Sequence, residues 1–142
     1  MVDVRVQRVI GRPRREVAAF AVDPGNAPAW YENIEAVEWQ PPLALGSELG
    51  FVARFLGRRL EYTYVVRELM PDERLVMSTA QGPFPMETTY EFADAGDGAT
   101  RMTLRNRGEP AGFKKIGGPM MARAMRRANE RDLQALQALL ER

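Results

Sequence analysis

Any chemistry in this chain has to be done without histidine or cysteine, because neither occurs among its 142 residues. That excludes disulfides, thiol nucleophiles, Cys-ligated zinc and every Ser-His or Cys-His triad within the chain. It also removes the side chain that titrates near neutral pH. Hydroxyl, amide and carboxyl groups remain. Tyr62, Tyr64 and Tyr90 sit at alternating positions of two apolar runs, and a buried tyrosine needs a partner for its hydroxyl. Such hydroxyls can orient a ligand carbonyl or hydroxyl, and Tyr90 could donate a proton in an enolisation or dehydration. Asn129 stands on an apolar stripe where a leucine would pack better. A buried amide there must bond to backbone, to another side chain or to a ligand. Asn106 is placed similarly, at the end of the last extended run, and Asp132 lies near the edge of the Asn129 stripe. Tyr90 and Asn129 are the two catalytic candidates. Catalysis at neutral pH would otherwise need a carboxyl, lysine or tyrosine with a large pKa shift, or a metal held by carboxylates alone. Most of these polar residues do not titrate near pH 7, so the set suits recognition better than turnover.

The elements that must position these residues follow from hydrophobic period. Val2 to Ile10 alternates and reads as a strand; Gly11-Arg12-Pro13 ends it, and Val17, Phe20 and Ala21 give the next segment a helical stripe. Asp23-Pro24 opens a second short helix, with Asp23 as N-cap and Pro24 at the first position. Strands are then expected at Ile34–Trp39, Glu48–Leu56, Arg59–Leu69, Arg74–Ala80, Met86–Ala93 and Thr100–Arg107. Turns at Leu56-Gly57-Arg58, Met70-Pro71-Asp72-Glu73, Gly82-Pro83-Phe84-Pro85 and Ala95-Gly96-Asp97-Gly98 separate the later ones. The period then changes from two to 3.6, and a helix starting between Phe113 and Pro119 runs nearly to Arg142. Met121, Met125, Asn129, Leu133, Leu136 and Leu140 form its apolar stripe, with Arg123, Arg126, Arg127, Glu130 and Gln134 opposite.

A curved meander with one helix across it encloses space, and enclosed space is where small molecules bind. Phe51 and Phe55 share the inward face with the tyrosines. Met77, Met86, Met102, Met121 and Met125 also fall on inward faces, and methionine adapts to irregular apolar shapes. Thr88 and Leu104 share the inward faces of the last two strands, and Trp30 closes the second short helix. The expected cavity lining is therefore Trp30, Phe51, Phe55, Tyr62, Tyr64 and Met77 before the last two strands. Thr88, Tyr90, Met102, Leu104 and Asn106 come from those strands, and Met121, Met125 and Asn129 from the helix.

The remaining polar clusters read as solvated. Glu32, Glu35 and Glu38 near Trp30 and Trp39 could pair for acid-base work only if burial separated their pKa values. The basic turns Gly11-Arg12-Pro13-Arg14-Arg15 and Gly57-Arg58-Arg59 have no phosphate-loop pattern, and Gly117-Gly118-Pro119 reads as a flexible start to the helix. With 20 basic and 19 acidic residues, no global field points to nucleic acid. The longest apolar runs fall short of the ~20 residues of a membrane span, and Met1-Val2-Asp3-Val4-Arg5 is no signal peptide, so the expected location is cytoplasmic. No cofactor and no metal are expected. The length suits one domain over residues 1–142.

Three stretches carry a family resemblance: Asp23-Pro24 followed by Trp30, the Val66–Leu75 segment with Met70-Pro71-Asp72-Glu73, and Gly96-Asp97-Gly98-Ala99-Thr100 leading into the last strand. With the Asp132-Leu133…Leu136…Leu140-Glu141 ending, they resemble the START-like helix-grip superfamily. That group includes birch-pollen-allergen-like proteins and the polyketide cyclase/dehydrase and lipid-transport family. The resemblance implies an α+β helix-grip fold: a seven-stranded curved antiparallel sheet, two short helices after the first strand, and a long C-terminal helix across the concave face. It implies a cavity for a lipid, polyketide, isoprenoid or quinone-like molecule, with no universal catalytic residue. Two alternatives stay open. One is a polyketide cyclase or dehydratase working without metal; the other is an accessory domain with a vestigial cavity and a protein partner. A homodimer is compatible with either.

Overall fold

Alternation of buried valines with exposed polar residues makes Val2–Ile10 the first strand, β1. The computed structural model describes residues 2–81, 85–109 and 117–142. After β1 come helix α1 (Arg14–Val22), a 3-10 turn at Pro24–Asn26 and the single-turn helix α2 (Ala27–Trp30). Six strands follow: β2 (Ile34–Glu38), β3 (Glu48–Phe55), β4 (Arg58–Met70), β5 (Arg74–Gln81), β6 (Met86–Asp94) and β7 (Thr100–Gly108). Helix α3 spans Gly118–Leu140. Within the expected turns and helix start, residues 82–84 and 113–116 lie outside the described residues.

The seven strands form one antiparallel sheet in the order β1-β7-β6-β5-β4-β3-β2. Bulges between Ile34 and Ala36, between Thr63 and Tyr64, and between Val66 and Glu68 bend its β2–β5 side. The β3–β4 hairpin turns on Leu56 and Gly57 at φ 50° and 78°, the left-handed pair that matches strand twist in a two-residue loop. Asp23 caps as expected, its carboxylate accepting the Gly25 N–H at 2.9 Å ahead of Pro24.

Helix α3 packs on β1, β7 and α2. Its N-cap, Gly117, has φ 81°, a conformation glycine takes without strain. The buried face is Met121, Met125, Asn129, Asp132, Leu133 and Leu136, and the five polar residues assigned to the opposite face are exposed. Two expectations shift slightly. The buried stripe of α1 is Val17, Ala18 and Ala21, leaving Phe20 half-buried: a small residue lets the helix sit close to β6. Strand β2 stops at Glu38, one residue before the half-buried Trp39.

Candidate functional site

The sheet and α3 diverge toward the first half of the helix. Leu133 and Leu136 are 1% and 0% exposed and fill the far end, each worth about 1.5–3 kcal/mol of burial. Near Met121 and Met125 the same face instead borders a partly enclosed cavity of about 120 Å³. An engineered apolar cavity of about 150 Å³ takes benzene, so this space suits one ring with its substituents directed to the mouth.

Helix α3 supplies Met121, Met125, Ala128, Asn129 and Asp132 to the wall. Phe51 and Phe55 come from β3, Tyr62 and Tyr64 from β4, Met77 from β5, Thr88 and Tyr90 from β6 and Asn106 from β7. Three expected lining residues are placed elsewhere. Met102 and Leu104 are both wholly buried, paired with Phe92 and Tyr90 on β6 and with Arg8 and Val6 on β1. They point to the concave side, but at the end where the helix is closed down on the sheet. Trp30 is 1% exposed and packs on Tyr31, with ring centroids 4.2 Å apart, and edge-on to Tyr90 at 5.6 Å. It backs the cavity wall without forming it. Alternation reports which face a residue occupies, not how deep the space is above it.

The wall also includes residues outside the expected set. Met86, Ala53 and Leu60 carried the signal, since they alternate on inward faces; Ala128 and Thr79 are flanking positions. Tyr31, Asn33 and Ile34 come from the α2–β2 junction, where no period applies. Asp132 is the consequential omission. It is 2% exposed, fully inside rather than at the stripe's edge.

Two polar clusters face the space. In the first, register places Thr88 opposite Asn106 and opposite Met77. The Thr88 hydroxyl donates to Asn106 Oδ1, so its oxygen accepts from the Tyr64 hydroxyl at 3.0 Å. Asn106 Nδ2 donates onward to Asn129 Oδ1 at 3.3 Å. The relay therefore ends at Asn129 Nδ2, which is buried without an acceptor among the described residues. The cost of a buried unsatisfied donor is about 1–3 kcal/mol, and a ligand acceptor at this point would offset it.

In the second cluster the Tyr31 and Tyr90 hydroxyls lie 2.6 Å apart. One donates to the other, leaving the second proton for another partner. Asp132 Oδ1 accepts the Glu32 N–H at 2.8 Å, tying α3 to the α2–β2 junction. Burial pushes the Asp132 carboxyl up to about 7; the Glu32 N–H bond opposes the shift and the nearby Glu32 charge adds to it. Burial raises the Tyr64 hydroxyl to about 12 against its bond with Thr88. Tyr31, Tyr62 and Tyr90 are raised further by the same cause. All four tyrosines keep their protons at neutral pH, and Asp132 alone changes state there. The expectation that most of the inward polar set does not titrate near pH 7 concerned the tyrosines and asparagines; Asp132, outside that set, is the exception.

The three glutamates near the tryptophans are exposed, with Glu32 on Arg131 at 3.2 Å and Glu35 on Arg54 at 2.8 Å. They do not join the site. Among the described residues no group of three acidic side chains could hold a metal ion, and no helix is long and apolar enough to cross a membrane.

A cavity between a curved antiparallel sheet and a C-terminal helix defines a helix-grip protein. The chain belongs to the polyketide cyclase / dehydrase and lipid transport family, whose profile matches residues 1–141. Similar solved structures include a START superfamily protein from Mycobacterium smegmatis, with TM-score 0.83, 17% identity, and coverage of 98% of this chain and 97% of that one. The Zhui aromatase/cyclase from Streptomyces sp. R1128 aligns with TM-score 0.82 at 15% identity, over 99% and 93% of the two chains. Major latex-like protein 151 from Panax ginseng aligns with TM-score 0.74 at 11% identity, over 96% and 95%. At these identities the likeness establishes the fold. No functionally curated protein matches the sequence.

Proposed function

We propose that this protein binds a small apolar or aromatic molecule, a single ring bearing a hydrogen-bond acceptor, between the sheet and the first half of α3. The observation that carries the reading is the cavity-side Asn129 amide, whose Nδ2 ends a four-residue relay without an acceptor. Rings and methionine side chains make up ten of the twenty lining residues, and the amide supplies orientation. Family membership supports ligand binding in general. Native mass spectrometry of freshly purified protein tests it directly, through the mass of a co-purified ligand. A fluorescent apolar probe supplies the second arm. Wild type should take up the probe, and folded Met125→Trp should not; equal uptake by both would sink the proposal.

One observation favours a second reading, an enzyme of cyclase or dehydratase type. The Asp132 carboxyl, pushed up to about 7, can both take and return a proton at neutral pH, which a general acid-base group requires. The Tyr31–Tyr90 pair would then hold the oxygen that gains charge. Turnover of polyketide-like substrates by wild type, lowered by roughly a hundredfold or more in both Asp132→Asn and Tyr90→Phe with the fold intact, would establish it. Absence of turnover in wild type would exclude it for those substrates.

A further inference from the structure

Asp132 is the one acidic or basic side chain among the described residues that line the cavity. The rest of the wall is aromatic, aliphatic, hydroxyl or amide. Among the described residues no arginine or lysine partners the carboxyl; its hydrogen bond comes from the Glu32 backbone, and the Arg131 guanidinium is turned outward onto the Glu32 carboxylate. A buried acid without a cation must either hold its proton or receive a positive charge from elsewhere.

The wall near it is built for such a charge. Phe51, Tyr62 and Tyr64 form a triad with ring centroids 5.2–5.8 Å apart, and the paired Tyr31 and Tyr90 rings also line the space. Aromatic faces attract cations, most strongly where water is excluded. An anion would find no cationic side chain among the described lining residues and would meet Asp132 directly.

We propose that the cavity's ligand is a small organic cation, an arylalkyl ammonium whose ring fills the apolar space and whose charge meets the Asp132 carboxylate against the tyrosine rings. This rests on the binding reading above and names its ligand class. Asn129 Nδ2 remains available to an acceptor on the same molecule. Binding is coupled to protonation. The free cavity holds Asp132 largely neutral at pH 6, so the ammonium takes the place of a proton, which leaves to solvent. The groups around Asp132 are Glu32 and Tyr31 from the α2–β2 junction, Tyr62 from β4 and Tyr90 from β6, with Arg131 beside it on α3. The tyrosines stay neutral across this range, so the exchange belongs to Asp132.

Benzylamine, benzyl alcohol and benzoate share one ring and differ in charge. Their affinities for wild type and Asp132→Asn, measured by calorimetry and NMR titration at pH 7.5, test the proposal. The variant keeps an Oδ1 acceptor for the Glu32 N–H, and its urea midpoint confirms folding. Wild type should prefer benzylamine over benzyl alcohol by tenfold or more, with benzoate weakest, and Asp132→Asn should abolish that preference. At pH 6, buffers of different ionisation enthalpy should show close to one proton released per benzylamine bound by wild type and none for benzyl alcohol. This arm needs no variant. Benzylamine affinity should fall about tenfold per pH unit below 7 and level off above it. Equal or tighter binding of benzyl alcohol, no proton release, or an unchanged preference in Asp132→Asn would overturn the cation assignment while leaving the binding reading standing. If none of the three binds and the apolar probe is also refused, both fail.

Discussion

Replacing Asp132 by asparagine should remove most of the protein's loss of stability between pH 5 and pH 8. The carboxyl is 2% exposed, and burial, its largest cause, raises it from 3.8 to about 7 in the folded chain. In the unfolded chain it is ionised throughout this window. The folded state therefore binds more protons than the unfolded state, and stability falls as pH rises. The stabilisation is fully present below about pH 4 and is lost as pH passes through 7. From pH 5 to pH 8 the two units below that midpoint, at about 1.36 kcal/mol each, make a loss of about 2.7 kcal/mol. Few other groups interfere. The chain has no histidine, and Asp3 and Glu141, whose pKa values are lowered by their hydrogen bonds to Arg105 and the Gly11 N–H, act on the acid side of pH 5. Asparagine keeps the size and the acceptor for Glu32 N–H but cannot ionise. Urea unfolding at pH 5, 6, 7 and 8 should show wild type losing about 2–3 kcal/mol while Asp132→Asn stays nearly flat. The variant should be the more stable protein at pH 8 and close to wild type at pH 5. Parallel pH profiles for the two proteins would refute the argument, because they would mean that Asp132 is ionised in the folded cavity.

Other perturbations follow from the same geometry. Asn129→Leu removes a buried unpartnered donor but leaves Asn106 Nδ2 without its acceptor; these terms oppose at about 1–3 kcal/mol each, so the urea midpoint should move little, while uptake of a carbonyl-bearing probe falls. Met125→Phe, at the cavity, should cost less than about 1 kcal/mol, whereas Met102→Phe, wholly buried, should cost the roughly 1–3 kcal/mol of overpacking; equal costs would mean that the space at Met125 is closed in solution. Leu56→Gly relieves a non-glycine residue at φ 50° on an exposed turn and should raise the thermal midpoint, since left-handed backbone costs an L-residue roughly 1–2 kcal/mol.

The fold was legible because period and turn chemistry agree along the chain. Tyr62, Tyr64, Thr88, Tyr90 and Asn106 announce their face by alternation, and the structure brings all five to the cavity. Met102 and Leu104 carry the same signal and do not reach it, because the cavity depends on how far α3 stands off the sheet. That distance is set by long-range packing at Leu133 and Leu136, which a local pattern does not encode. Asp132 was visible only as a residue near the stripe's edge. A helix face drawn at 100° per residue is blurred by about one position, and here that blur separates a solvated acid from a buried one. Tyr31 and Asn33 sit in an aperiodic junction, where only their chemical type is informative.

Asn129 and Asp132 are three residues apart on α3 and so share one face of the helix, yet they offer a ligand different things. Asn129 closes a relay whose direction follows from proton counting: Thr88 has one proton and gives it to Asn106, so Tyr64 must donate to Thr88, and the amide at the far end is left as a donor. Asp132 is a donor below pH 7 and an acceptor carrying charge above it. The sheet wall can donate hydrogen bonds but cannot take up charge, since its tyrosines hold their protons far above neutral pH. In the proposed binding mode, charge selectivity therefore resides on the helix and ring selectivity on the sheet. The two are joined at Tyr31–Tyr90 and at the Asp132–Glu32 bond. A substitution at Asp132 that keeps the acceptor for Glu32 N–H should alter which charge is admitted while leaving the ring pocket of Phe51, Tyr62 and Tyr64 intact. One that removes the acceptor also releases the α2–β2 junction that carries Tyr31, and so disturbs both properties together.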